Sequence, residues 1–291
     1  MNTLKTVAGV TLYECESETL KACIEEAISK GINLDNADLS GQNLDGVNLS
    51  GQSIRWANFE NASLVFANLQ GCNLSGSNLR TINLFNANLQ GSQMKGTDIH
   101  GANFSNANLR NTDWRSEILN SQVAKCNNVT FANADMKNAV IELYEFTECN
   151  FSGAKIQKAS LKQVHFRGCS LKSTNLTGTS LYNVHFNDND MTDAVFEGVD
   201  LTKTEFCNCD VSNAYLGFAT LPIVCGNRFM RTNTDQRVII GNFLQNWLKN
   251  DADNLTDQEN ELLKLLNEYG SDVNYTMALD RTKSRSNSDS K

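Results

Sequence analysis

Residues 57–69 read Ala57-Asn58-Phe59-Glu60-Asn61-Ala62-Ser63-Leu64-Val65-Phe66-Ala67-Asn68-Leu69. A large apolar residue returns at every fifth position, and a small residue stands two places before it. Between the two sits Asn or Ser. The same triplet recurs as Ala37-Asp38-Leu39, Ala87-Asn88-Leu89 and Ala107-Asn108-Leu109. A period of five is neither the 3.6 of a helix nor the 2 of a strand. It marks a solenoid, whose function is expected on its surface rather than in a catalytic pocket.

Taking the large apolar residue as the centre of each five, the centres run without interruption from Leu34 to Leu119. The next is Cys126, seven residues on, with Ala124 in the small slot. The fives then resume at Phe131 and continue to Leu221. Eighteen fives, a two-residue insertion and twenty fives are therefore expected. This pattern resembles the pentapeptide-repeat family, whose motif is a small residue, Asn or Asp, Leu or Phe, and two freer positions. The resemblance implies an all-β solenoid: a right-handed quadrilateral β-helix with four fives per coil, centres and small residues inward.

Four fives per coil means that residues twenty apart should stack. Phe146, Phe166, Phe186 and Phe206 obey that spacing, as do Ile141, Leu161, Leu181 and Leu201 on the neighbouring face. Rings in such a column can stack with an offset. About nine and a half coils at the inter-strand spacing make a rod about 45 Å long. The first half is regular, with Gly41, Gly46, Gly51 and Gly71 at its corners. The second half carries Tyr144, Val164 and Val184 in the small slot, which should widen that face or change its turns.

The organisation read from the chain is an N-terminal cap over residues 1–33, the repeat over 34–221, a C-terminal helical segment over 222–270 and a disordered tail over 271–291. A solenoid exposes a stacking edge at each end, and those edges need caps. Thr6 to Tyr13 reads as an edge strand, and Ser17 as the N-cap of a helix running to Lys30 before Gly31. Leu20, Cys23, Ile24, Ala27 and Ile28 would form its buried stripe. Beyond Pro222, the only proline, the five-residue period is lost. Two C-terminal helices are expected there, and Phe243, Trp247, Leu248, Leu262, Leu263 and Leu266 exceed what a cap needs. Such an excess marks an interface, so a homodimer is expected.

Composition narrows the function. The formal net charge is −8 over 291 residues, which disfavours a direct nucleic-acid binder. No stretch is long and apolar enough for a membrane span and no signal-peptide core opens the chain. A soluble cytoplasmic protein with no membrane partner is expected. Nine cysteines do not resemble a disulfide framework, being odd in number and spaced by the repeat. Cys72, Cys149, Cys169 and Cys209 take the small slot and act as small hydrophobes. Cys207-Asn208-Cys209 lacks the further ligands that a zinc site needs.

Of three histidines, His100, His165 and His185, the last two are twenty apart and bracketed by Glu145 and Glu205 at the same spacing. A flat solenoid face offers no concave pocket around such a ladder, so it is taken as a solvated polar face. No nucleotide loop or nucleophile motif is present. No catalytic residue, metal or cofactor is expected, and the chain is read as a non-enzyme.

Charge in the second half is banded. Asp135, Glu142, Glu145 and Glu148 are followed by Lys155, Lys158, Lys162, Arg167 and Lys172. Then come Asp188, Asp190, Asp193, Glu197, Asp200, Glu205 and Asp210. Stacked coils should condense these bands into patches. The family resemblance implies a DNA mimic that binds DNA gyrase or topoisomerase IV, as an inhibitor or protector, with dimerisation through C-terminal helices. The acidic band at Asp188–Asp210 would be its partner-binding surface. A nuclease or another DNA-handling enzyme is an alternative target. A general protein-interaction scaffold, read through the second half and the C-terminal helices, is the alternative function.

Overall fold

A computed structural model of the protein describes residues 2–115 and 123–215, except 208 and 212, together with residue 219. The repeat is a parallel solenoid in which each five makes one side of a coil. Asp38 pairs with Asn58, Asn58 with Asn78, and Asn78 with Asp98, while Asn48, Asn68, Asn88 and Asn108 form a second such ladder. The interval of twenty residues is that of four fives. Centres and small residues make one continuous core.

The five-residue motif follows from hydrogen bonding as much as from burial. In the five around Phe59, the ring points inward and Asn58 points outward. Asn58 Oδ1 accepts the Glu60 N–H at 3.2 Å, closing the approach to the corner. It also accepts Asn78 Nδ2 from the next coil at 3.0 Å. The same two-way use gives an amide ladder on Asn48, Asn68, Asn88 and Asn108. The backbone runs in parallel with it: Asn58 N–H donates to Ala37 O at 2.9 Å, and Phe59 N–H to Asn78 O at 2.8 Å. At nearly every described corner the second residue after the centre has positive φ, which glycine and asparagine tolerate best. The N–H of the small slot closes the turn, as Ala62 does on Phe59 O at 3.0 Å, while its side chain is packed into the core.

Polar residues in the small slot mostly find a partner there, although the buried Ser92 hydroxyl has none among the described residues. Ser77 Oγ donates to Ile54 O at 2.9 Å and Thr174 Oγ1 to Phe151 O at 2.9 Å. Buried Asn189 accepts from Cys169 N–H and donates to Phe166 O. Cys72 is fully buried, and burial pushes its thiol up to about 11, so it is an inert space-filler.

In the second half two adjoining faces become true strands, the one whose slots hold Tyr144, Val164 and Val184 and the one before it, whose slots hold Ala139, Ala159 and Thr179. One parallel sheet joins β4 (Ala124–Asn127), β6 (Tyr144–Thr147), β8 (His165–Arg167), β10 (Val184–Asn187) and β11 (Thr204–Cys207). Another joins β3 (Asp113–Arg115), β5 (Val140–Glu142), β7 (Ser160–Lys162) and β9 (Ser180–Tyr182). Between them the chain bends at Leu143, Gln163 and Asn183 without a turn-closing hydrogen bond, and it does the same on the far side of the Phe column at Asn128, Glu148, Gly168 and Asp188. The larger Tyr144, Val164 and Val184 thus change the turn. The rings of Phe146, Phe166, Phe186 and Phe206 stack at successive centroid distances of 5.5, 5.1 and 5.0 Å.

Three expectations are corrected. First, the insertion is larger than two residues. Gln93 pairs with Asp113 at the regular interval, but Asn103 pairs with Thr130 and Asp113 with Val140. That coil takes 27 residues. Counting Leu119 as a centre would put Cys126 over Phe104. Instead Phe131 stacks on Phe104 at 5.2 Å, and Cys126 follows Trp114 as the coil's fourth centre. A coil has four inward places, and the backbone ladder keeps each face in line rather than admit a fifth. Leu119 itself lies outside the described residues. The joint is filled by large rings: Trp114 lies 6.2 Å from Phe131 and 6.4 Å from Tyr144, and its Nε1 donates to Thr112 Oγ1 at 2.7 Å.

Second, the cap is a hairpin rather than one strand. β1 (Asn2–Lys5) and β2 (Thr11–Cys15) pair antiparallel, turning through Gly9 with Thr6 N–H on Val10 O. Helix α1 (Leu20–Ser29) follows, and its N-cap is Thr19, not Ser17. Thr19 Oγ1 accepts the Ala22 N–H, whereas Ser17 Oγ is occupied by Glu26. α1 buries Cys23, Ile24 and Ala27.

Third, Cys15 and Cys23 form a disulfide joining β2 to α1. Two cap residues outside the repeat meet because the hairpin folds back on the helix, which no spacing rule announces. Closing a loop of sequence separation 8 restricts the unfolded chain by about 2–3 kcal/mol. Cys15→Ser with Cys23→Ser is expected to loosen the cap by about that amount in urea while leaving the solenoid's far-ultraviolet spectrum intact. No change in the cap's amide exchange would refute a structural role for the bond.

Candidate functional site

The outward surface of the second half is built on the Phe column. Within β6, β8 and β10 the side chains alternate, so that Tyr144 and Phe146 are buried while Glu145 faces outward. The outward partners stack in register as Lys125, Glu145, His165, His185 and Glu205. The two imidazole centroids are 4.6 Å apart. His185 Nδ1 lies 2.8 Å from Glu205 Oε2, and Arg167 Nε lies 2.9 Å from Glu145 Oε1. His165 is held below the ordinary histidine range, first by partial burial and then by its histidine neighbour. Among the described residues no group of three or more His, Cys, Asp or Glu is placed to hold a metal. Nor does the ladder meet a nucleophile.

The acidic residues do not gather on one side. Asp188 to Asp210 spans slightly more than one coil, so its carboxylates are carried round all four faces. Asp188 and Asp193 turn corners at φ 57° and 59°. Asp190 and Asp210 stack on one face, Glu197 follows Phe196 on the next, Asp200 precedes Leu201 on the third, and Glu205 lies on the histidine face. All are exposed except half-buried Glu197. The expected patch is thus a collar. The basic stretch from Lys155 to Lys172 likewise occupies about one coil, and Arg167 ties it to Glu145 on its neighbour. Potential therefore alternates along the rod's axis rather than across it.

Asp190 and Asp200 also serve the fold. Each accepts the N–H two residues on, Thr192 at 3.0 Å and Thr202 at 2.9 Å. That is the role asparagine plays in the first half, so the repeat permits the charge without requiring it. Within the acidic coil Lys203 sits over the exposed Tyr182, 4.6 Å from its centroid.

Two exposed aromatic corners in the first half went unrecognised in the sequence. Trp56 and Phe66 turn corners at φ 54° and 59°, where bulky residues are strained. They remain 53% and 66% exposed. The Trp56 ring fits because the stacked corner is Gly76, where a Cβ would lie 2.4 Å from the indole. Arg55, anchored to Asp35 at 2.7 Å, lies 4.6 Å from that ring. The signal was present: a large ring in the slot that Gly or Asn otherwise fills. The dimerisation candidates Phe243, Trp247, Leu248, Leu262, Leu263 and Leu266 lie outside the described residues.

Comparison with known proteins agrees with this division into two halves. A family model for pentapeptide repeats in eight copies matches repeatedly across 32–115, and one for a pentapeptide repeat region matches 139–216; together they span more than half of the chain. No curated protein matches the sequence. Among solved structures, full-length QnrB1, a plasmid-mediated fluoroquinolone resistance protein, is 21% identical with a TM-score of 0.52, over 64% of this chain and 92% of its own. HetL, a protein involved in heterocyst differentiation regulation from the cyanobacterium Nostoc sp. Strain PCC 7120, is 19% identical with a TM-score of 0.37, over 69% and 97%. At these identities the likeness is one of fold.

Proposed function

Since the chain belongs to the pentapeptide-repeat family, we propose that it is a non-enzymatic binding rod whose acidic collar occupies the cationic DNA-binding cleft of a DNA-processing enzyme. A type II topoisomerase such as gyrase is the first target class and a nuclease the second. The collar at Asp188–Asp210 carries this reading. Exposed carboxylates at corners and on faces present anionic charge to a cleft that encloses the rod, and such a cleft is complementary to phosphate. Homodimerisation through the segment holding Phe243, Trp247, Leu248, Leu262, Leu263 and Leu266 belongs to the same proposal. So does a cytoplasmic setting, with Cys15 and Cys23 bridged or free according to its redox state. No helix among the described residues is long and apolar enough to cross a membrane.

The test neutralises charge without disturbing the turns. Asp190→Asn and Asp200→Asn keep the side-chain oxygen that the corner N–H needs, and together with Asp210→Asn they remove three negative charges. Inhibition of supercoiling by purified gyrase, or competition with duplex DNA for the enzyme, is expected to weaken by at least about tenfold, since rim and cleft charges govern such encounters. Unchanged potency in a normally folded triple variant would remove the collar from the mechanism. A general interaction scaffold is the second reading. It is favoured by exposed Tyr182 braced by Lys203, the kind of rigid aromatic that anchors protein interfaces.

A further inference from the structure

We propose that His165 and His185 together bind one divalent first-row transition-metal ion through their outward imidazole nitrogens. The site would be open, with two protein ligands and water completing the coordination. In-register strands β8 and β10 bring the two rings together on the outer surface, with centroids 4.6 Å apart and planes tilted at 51°. Metal–imidazole bonds of about 2 Å put two nitrogen donors on one ion within about 4 Å of each other. That is a separation neighbouring strands hold without backbone movement.

The surroundings specify which atoms would bind. Glu205 Oε2 accepts from His185 Nδ1–H at 2.8 Å, which leaves the Nε2 lone pair to bind an ion. A carboxylate on the far nitrogen is the usual arrangement behind a metal-bound histidine: it fixes the tautomer and raises the ring's basicity. Glu145 is engaged by Arg167 at 2.9 Å and so is withdrawn from the ion. The absence of a third protein ligand among the described residues makes this an exchangeable site rather than a structural cage. Imidazole donors favour Cu(II) and Ni(II) over Mn(II). An ion there would staple two coils at the junction of the basic and acidic collars.

The experiment titrates the full-length protein with Ni(II), which does not oxidise thiols, by calorimetry in a non-coordinating buffer. One ion per chain is expected, with a higher Tm when it is bound. His165→Gln and His185→Gln should each abolish saturable binding, and Glu205→Ala should weaken it about tenfold. His100→Gln, which alters the histidine paired with Asp98, should leave it unchanged. Cu(II) electron paramagnetic resonance should show coupling to two ring nitrogens. No saturable binding, or binding that survives the double His165→Gln, His185→Gln variant, overturns the site. Equal affinity in Glu205→Ala overturns the role given to Glu205.

Discussion

Phe166→Ala is expected to destabilise the solenoid by about 3–5 kcal/mol, the range for emptying a buried aromatic position. Phe166 is 1% exposed. Its ring stacks on Phe146 at 5.5 Å and on Phe186 at 5.1 Å, and meets Phe151 edge-on at 5.3 Å. Such pairs add to the area they bury. The parallel ladder holds the coils at a fixed spacing, so neighbouring rings cannot close over the gap and most of the cavity persists. In a solenoid each coil is stabilised by its neighbours, so position along the column matters as well as residue type. For a chain of this size the loss at Phe166 corresponds to a fall in Tm of about 10 °C. A fall under about 3 °C would show that the column is not a principal source of stability.

Asn88→Pro is expected to cost about 3 kcal/mol or more and to sever the cooperativity of the first half. Asn88 N–H donates to Ala67 O at 2.9 Å, and Asn88 Oδ1 accepts from Gln90 N–H at 3.2 Å. Its Nδ2 reaches Asn68, and its oxygen receives Asn108 Nδ2 at 3.0 Å. Proline deletes the backbone donor and all the amide's bonds at once, leaving buried or half-buried groups unpaired. Asn88→Asp separates these contributions. It keeps the oxygen for Gln90 and Asn108 and gives up only the donor to Asn68, so a loss of at most about 1 kcal/mol is expected. Amide exchange should report the difference: protection at Leu69 and Asn108 collapses in Asn88→Pro and persists in Asn88→Asp. Equal protection in both variants would mean that the inter-coil ladder does not carry the fold's cooperativity.

The lone proline at Pro222 is consistent with this expectation, since the described repeat contains none. The collar follows from the same geometry. A band of charge about twenty residues long must wrap the coil once, so it becomes a ring however clustered it looks in the chain. The histidines behave differently. Twenty residues apart, they fall on one stripe, and only stacking turns that spacing into a ring separation of 4.6 Å.

Periodicity determined the solenoid and its inward residues, and the family resemblance, supported by Phe at every twentieth place, gave the twenty-residue stacking and the Phe column, because burial and the repeated backbone ladder act alike on every five. Tertiary structure decided what breaks that identity. It showed the 27-residue coil, where four inward places rather than five were available. It revealed the Cys15–Cys23 bridge, the Thr19 cap and the Trp56 ring over Gly76, each a meeting of residues with no shared period. A repeat is legible in sequence because each unit meets the same surroundings; its joints, caps and surface contacts depend on which particular side chains the coil brings together.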